Sequence, residues 1–321
     1  MNPMISVVIP VKNEAAKISA CLDGILRQTV SVHEIIIIDS GSTDGTQSIA
    51  QGYEKVKLIE IAPSEFNHGS TRNLGVELAE GDFVLMTVGD AKPASSEWIA
   101  QLMLPFEDAT VAAVCGSQIV EHSKDTNPAE WFRPVSNPTV SYFQFKSSEQ
   151  FNELHADKKR AATGWDDVTA MYRNEIIRNL PYRHVTYGED IMWAVDALCA
   201  GLKLSYNPAA RVYHYHVENY DTLFKKSINV LYLRYALLGY VSPTAHIKRG
   251  LFRATKAIIK SQGISIVSKF SWFFYNFIQL RAISDSIRIF NAAIKKGDDD
   301  IAALHAQYCG SPPIPLKAKV E

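Results

Sequence analysis

The sequence predicts an α/β protein: a mostly parallel sheet with helices on both faces, followed by a helical C-terminal extension. Three observations carry that reading. Short β-type runs alternate with helical patterns through the first half of the chain. One of them, Glu34-Ile-Ile-Ile-Ile-Asp39, has the continuous apolar interior of a strand covered on both faces. From about Asn219 onward the β-type runs stop and helical periodicity takes over.

Ile5-Ser-Val-Val-Ile-Pro-Val11 reads as the first strand, and residues 14–28 as a helix with Ile18, Leu22, Ile25 and Leu26 on one face. Residues 34–39 are the second strand. Ser40-Gly-Ser-Thr-Asp-Gly45 is turn chemistry, and Thr46 starts the next helix. Residues 56–61 read as the third strand, 70–80 as a helix and 82–88 as the fourth strand. In a sheet wound this way ligands sit beyond the carboxyl ends of the strands, where Lys12-Asn-Glu14, Asp39 and Gly89-Asp90 fall. Further on, 111–115 reads as a strand and 121–150, rich in Pro, Ser and Asn, as a long loop region around short helices. Residues 167–172 return as a strand, 189–200 as a helix and 212–216 as a strand. Residues 219–240, 246–262 and 264–296 read as helices, and the tail from Gly310 as irregular. The expected division is 1–217 for the α/β domain and 218–321 for the extension.

Composition narrows the classes. Of 321 residues, 47% are hydrophobic and 21% charged, which excludes disordered, collagen-like and coiled-coil chains. Lys plus Arg is 33 against 34 for Asp plus Glu, so the basic excess of a nucleic-acid binder is missing. Cys21, Cys115, Cys199 and Cys309 are far apart, fit neither a zinc spacing nor a disulfide framework, and point to a reducing compartment. Met-Asn-Pro-Met leads into Ile5 without a basic n-region, so no signal peptide is expected. Residues 264–280 approach a membrane span but are interrupted by polar side chains, Lys269 among them. The expected location is the cytoplasm. The basic, aromatic-rich helices, with Leu223, Phe224, Ile228, Leu231, Leu233 and residues 272–277, leave peripheral contact with the inner face of the plasma membrane open. The same side chains read equally as the core of the extension or as a homodimer interface.

Single residues in the first domain are ambiguous. Asp39 suits a grip on a nucleoside, or simply starts a turn. Glu14 is an ordinary first-turn carboxylate by position. The ordered series says more. Val8-Ile-Pro-Val-Lys-Asn-Glu14, Ile38-Asp-Ser-Gly-Ser-Thr-Asp-Gly-Thr46, Thr71-Arg-Asn73, Gly89-Asp-Ala91, Gly188-Glu-Asp190 and Val212-Tyr-His-Tyr-His216 follow one another along the chain. Together they resemble the family 2 glycosyltransferases with the GT-A fold, over roughly residues 4–217. Phe66-Asn-His-Gly-Ser-Thr-Arg-Asn73, Gly89-Asp-Ala-Lys-Pro93 and Gly188-Glu-Asp-Ile-Met-Trp193 are most similar to the rhamnosyltransferase branch.

That resemblance implies an inverting, metal-dependent transferase with a nucleotide-sugar donor and a cell-surface polysaccharide or lipid-linked glycan as acceptor. It implies that Pro10, Glu14 and Asp39 hold a uracil- or thymine-type nucleoside. Arg72 would face the diphosphate or the residue contacting it; the other reading is a solvated helix charge. Asp90 matches the last Asp of the family's Asp-x-Asp metal motif, whose first Asp is here Val88. A diphosphate gains negative charge as the glycosidic bond breaks, and a hard divalent cation offsets it. Mg²⁺ or Mn²⁺ keeps several waters and needs only one or two protein ligands. His214 and His216, two apart on an expected strand, share a face; the resemblance puts a metal-binding histidine here, with His214 preferred. Asp190 matches the family's base, with Glu189 supporting it or positioning the acceptor, although helix capping competes for both. Trp193 stacks on a sugar or packs in the core, and Asp166 and Asp167 are weaker acceptor contacts.

The donor implied is rhamnose or another deoxysugar on dTDP or UDP. The alternatives are a UDP-hexose transferase of the same fold and a catalytically inactive nucleotide-sugar-binding relic. Val88 favours the relic; Glu189, Asp190 and the histidine pair speak against it. No Gly-x-Gly-x-x-Gly follows the first strand, which argues against a dinucleotide oxidoreductase.

Overall fold

A computed structural model describes residues 3–132 and 138–316. Residues 1–2, residues 133–137 of the expected loop region and residues 317–321 of the expected tail lie outside the described residues. The chain forms two compact units. The first runs, with two interruptions, from the N-terminus to His214; the second holds everything from Tyr215 onward and short segments beginning at Val120 and Ala156. The sequence had suggested a division at 217/218.

The first unit opens with β1 (Ile5–Val11), α1 (Ile18–Leu26), β2 (Glu34–Asp39), α2 (Thr46–Gln51), β3 (Val56–Glu60), α3 (His68–Leu78) and β4 (Phe83–Met86). α1 buries Ile18, Leu22 and Ile25 of the expected face together with Cys21, while Leu26 at its end is exposed. α3 starts where the Asn67 side chain accepts the Ser70 N–H at 3.1 Å. It carries glycine at Gly75 because a Cβ there would come within 2.3 Å of Val8 Cγ1 on β1. Next come β5 (Lys92–Pro93), α4 (Trp98–Met103), β6 (Val111–Ile119), β7 (Ser141–Phe143), α5 (Ser148–Asn152) and α6 (Ala156–Ala162), whose residues 156–160 count with the second unit. They are followed by β8 (Ala170–Arg173), α7 (Asn174–Asn179), α8 (Glu189–Cys199) and β9 (Lys203–Tyr213).

The sheet order is β3-β2-β1-β4-β8-β6-β9-β5, with β7 on β9. Pairs from β3 to β4 are parallel, as are β6 and β9. β8 runs antiparallel to both of its neighbours, and β5 and β7 run antiparallel to β9. The sheet is mixed: its longest pairings, β1–β2, β2–β3 and β6–β9, are parallel as expected, while β8 runs the other way, a direction that residue alternation does not reveal. The reversal matters for the site. Met86 at the end of β4 pairs with Ala170 at the start of β8, so residues 166–169 arrive at the same edge as the ends of β1, β2 and β4.

One expected strand is corrected. Residues 212–216 are not a strand of their own: β9 is longer and stops at Tyr213, so His214 and His216 lie beyond it. Pro208 hid the strand in the sequence. It falls where the β6–β9 register jumps from Cys115–Tyr206 to Ser117–Arg211, the irregular position at which a strand accepts proline.

The second unit is helical: α9 (Tyr220–Leu238), α10 (Ile247–Lys260), α11 (Ile266–Ile294) and α12 (Asp298–Cys309). Its core joins Phe224, Ile228, Leu231 and Tyr232 of α9 to Ala282, Phe290 and Ala293 of α11 and Ile301 of α12. No helix among the described residues is long and apolar enough to cross a membrane.

Candidate functional site

At the carboxyl edge of the sheet two loops are stitched together. Asn13 adopts the left-handed region at φ 58°, which asparagine tolerates, and its Oδ1 accepts the Thr43 N–H at 2.9 Å. The Glu14 N–H donates to Thr46 Oγ1 at 2.8 Å and the Ala15 N–H to Asp44 at 3.0 Å. Asp39, fully buried at the end of β2, accepts the N–H groups of Gly41 and Ser42 at 2.9 and 2.8 Å and the Gln47 amide at 2.9 Å, all on Oδ1. Burial opposes its charge, but hydrogen bonds from Ser42, Gln47 and Gly41 outweigh it and hold the carboxyl below its ordinary value. Its buried Oδ2 has no hydrogen-bond partner among the described residues. Pro10 sits opposite Ile38 in the ladder, half-buried beside this carboxylate. Glu14 binds its proton more tightly than an ordinary Glu, through burial and then the Asp90 charge.

Asp90 stands just past β4. Its Oδ1 lies 3.4 Å from His214 Nε2 and its Oδ2 3.1 Å from the Lys17 ammonium. Burial favours the neutral acid, but His214 and then Lys17 outweigh it and keep Asp90 well below the usual carboxylate range. His214 is fixed from its other side by Gln118 of β6, whose Oε1 is 2.7 Å from Nδ1. The Gln118 amide N–H in turn donates to Asp166. Asp166 also accepts the Val168 N–H at 3.0 Å, and burial raises its proton affinity. Asp90 and His214 each offer a ligand atom within 4.8 Å of the other. His216 is exposed and belongs to the second unit. Val88, where the family motif has its first Asp, packs half-buried against the core.

A second acidic group lies where β8 and α8 begin. Arg72 of α3 is 7% exposed, with Nη1 2.6 Å from Glu189 Oε1 and Nε 3.2 Å from Asp167 Oδ2. The latter contact is electrostatic, since neither atom has a hydrogen-bond partner in good geometry. Asp167 also accepts the Tyr172 hydroxyl, and burial pushes its pKa up to about 6 against the pull of Arg72. Asp190 accepts the Ile191 N–H at 2.7 Å. Burial, then the charges of Glu189, Asp167 and Asp166, raise its pKa well above the ordinary value. Trp193 is not available to stack on a sugar. It is 1% exposed, its indole N–H donates to the Leu180 carbonyl at 2.7 Å, and its ring packs edge-on against Tyr172 at 4.7 Å.

The family described as Glycosyl transferase family 2 matches residues 6–178, more than half of the 321 residues. The chain belongs to glycosyl transferase family 2. Two curated members from the rhamnosyltransferase branch are similar to it. The O-antigen chain rhamnosyltransferase RfbN of Salmonella typhimurium is 32% identical over 218 residues, 66% of each chain. The O-antigen chain rhamnosyltransferase WbaN of Salmonella anatum is 33% identical over 219 residues, 67% of each. The chain thus spans about two thirds of the length of these relatives. In fold it is similar to a mannosyltransferase, PcManGT from Pyrobaculum calidifontis, solved with GDP-Man and Mn²⁺. That likeness has a TM-score of 0.55 at 19% identity and covers 96% of this chain and 79% of the other. The glycosyltransferase therefore has the GT-A-like arrangement that its motifs implied and the helical C-terminal region that its periodicity implied.

Sequence reading had named most of these side chains but not their partners. Arg72, expected to face a diphosphate or the residue contacting it, is placed against Asp167 and Glu189. Asp166 and Asp167, read as acceptor contacts, are tied to Gln118, Tyr172 and Arg72. Gln118, which holds His214 Nδ1, was missed altogether. Lys17 was missed too, although it follows Glu14 by one helical turn, a spacing that brings side chains together.

Proposed function

We propose that this family 2 glycosyltransferase is an inverting, metal-assisted enzyme that moves rhamnose or another deoxysugar from a dTDP- or UDP-linked donor. The acceptor is a cell-surface polysaccharide or a lipid-linked glycan. Similarity to two O-antigen chain rhamnosyltransferases supports the sugar and acceptor class. The observation that carries the reading is the Asp90–His214 pair, 3.4 Å apart at the carboxyl edge of the sheet.

The donor base is bound by Pro10 and by Asp39, at the ends of β1 and β2. Glu14 completes that pocket. A hard oxygen from Asp90 and the Nε2 of His214 form a donor set suited to Mg²⁺ or Mn²⁺, with His216, two residues on, as the competing imidazole. When bound, such an ion neutralises the charge growing on the departing diphosphate. Lys17 releases Asp90 and turns to the diphosphate oxygens. Asp190 takes the proton of the acceptor hydroxyl, a task that suits a carboxyl of raised proton affinity. Glu189, spent on Arg72, positions the start of α8 rather than reacting.

Thermal-shift titration against dTDP-rhamnose, UDP-glucose and GDP-mannose, with and without Mn²⁺, tests the donor, because specific binding raises apparent stability. Metal-dependent stabilisation by dTDP-rhamnose, followed by its turnover, is expected. Stabilisation by UDP-glucose alone moves the reading to a UDP-hexose transferase, and indifference to all three overturns it.

A further inference from the structure

Between Thr222 and Ser284 the chain carries ten Lys and Arg residues and no Asp or Glu, although its overall net charge is only -1. Much of the exposed apolar surface lies in that same stretch. Phe252 and Ile259, seven residues apart on α10, are 72% and 69% exposed. Ile266, Phe270 and Phe274, four apart along the first half of α11, are 74%, 63% and 60% exposed. The inward sides of both helices are already in use. Ala254 and Ile258 are buried, and a Cβ on Gly250 of α10 would come within 2.7 Å of Leu280 on α11. What remains outward is a two-helix face of apolar tips flanked by the exposed Lys248, Arg249, Arg253, Lys256 and Lys260. Scattered apolar residues on a surface are ordinary, whereas a contiguous set rimmed by one sign of charge marks an interaction site. By contrast Phe224, Ile228, Leu231 and Leu233 of α9 are buried and take no part.

We propose that α10 and the first half of α11 form a docking face for the anionic headgroup layer of a lipid bilayer. The charge pattern decides the occupant. A second copy meeting this face about a two-fold axis would bring like charges together, with no carboxylate in the stretch to answer them. Anionic headgroups answer every one of them, and the apolar tips enter the acyl boundary while the Lys and Arg stems reach back to the phosphates. No helix among the described residues can cross the bilayer, so the two helices lie in its plane. The proposal stands apart from the donor reading, and its test requires no turnover.

The test is flotation of the full chain with phosphatidylcholine vesicles, with and without phosphatidylglycerol, at low and high salt. The protein is expected to float with the anionic vesicles and to bind pure phosphatidylcholine at least roughly tenfold more weakly. High salt should remove part of the binding, because the Coulomb share is screened and the apolar share is not. Two variants probe the two shares separately: Phe270→Ser with Phe274→Ser, and Arg253→Gln with Lys256→Gln. Each alters only exposed side chains, so circular dichroism and thermal midpoint should stay at wild-type values while vesicle binding falls about tenfold. Donor-induced thermal shifts should be the same in both variants, which separates failure of this face from failure of the nucleotide-sugar reading. Absence of flotation with anionic vesicles overturns the proposal. So does full binding by both variants, or a stable dimer that the Phe270→Ser, Phe274→Ser variant dissociates.

Discussion

Arg72 Nη1 and Glu189 Oε1 meet at 2.6 Å, with the two side chains only 9% and 6% exposed. The pair ties α3 to the first turn of α8, and Asp167 closes the triangle from the start of β8. Removing one member of a buried pair leaves a charge without compensation, which costs about 3–5 kcal/mol. We predict that Arg72→Ala lowers the unfolding free energy in urea titration by that order and the midpoint with it, since it strands two carboxylates. Glu189→Gln keeps the shape and one acceptor and should be milder. An Arg72→Ala protein with the wild-type midpoint would show that the triangle does not support the fold.

Asp190→Asn should spare the fold and lose chemistry. The amide can still accept the Ile191 N–H, so the helix start survives. It cannot take a proton, and kcat should fall about 10²–10⁴-fold with donor affinity nearly unchanged. A base works only when deprotonated, and the Asp190 pKa is raised. Activity should therefore be lost as pH falls through a value above the ordinary carboxylate range of about 3.9, giving an acid limb in kcat/KM. Near-normal turnover by Asp190→Asn sinks the assignment, and an unfolded variant would make Asp190 a structural cap.

Without a second Asp at position 88, the metal should bind weakly until donor oxygens complete its shell. Calorimetry of Mn²⁺ should show little heat with the protein alone and a clear isotherm once nucleoside diphosphate is present. EDTA should abolish turnover, and Asp90→Ala should abolish both signals. His214→Ala and His216→Ala, compared side by side, separate ligand from bystander. Full activity in chelator would remove the metal from the mechanism.

Gln118 Oε1 lies 2.7 Å from His214 Nδ1, which holds the ring so that Nε2 is the nitrogen turned toward Asp90. Partners of this kind set the tautomer and orientation of a ligating imidazole, and losing them costs about 10–100-fold in metal affinity. Gln118→Leu should weaken Mn²⁺ binding in the nucleotide complex by that factor, and the ¹⁵N shifts of His214 should show a changed tautomer population. Unchanged affinity and shifts would reduce Gln118 to a packing residue.

Legibility in the sequence followed range. β1, β2 and β4 announced themselves through short apolar runs, and Asp39, Asp90 and Asp190 through ordered motifs at element ends. The direction of β8 did not, because alternation is the same read either way. β9 was concealed by Pro208, and its early end moved both histidines off the strand. Trp193 and Arg72 were located correctly but their partners were not, since Leu180, Tyr172, Asp167 and Glu189 are set by tertiary packing. Gln118 lies 96 residues from His214, and one sequence carries no mark of that pairing.

The reversed strand also governs how the chain is made. β4 has two neighbours, β1 and β8, and β8 is the later by more than eighty residues. Leaving the ribosome, the apolar segment Phe83–Met86 can pair with β1 at once, but its other edge stays open until residues 170–173 emerge. At usual synthesis rates that wait is on the order of ten seconds. An unpaired apolar edge is a template for adhesion to other nascent chains. The strand that brings Asp166 and Asp167 to the site is thus also the one that covers the second edge of β4, and the interval before it arrives is when that edge is open to adhesion.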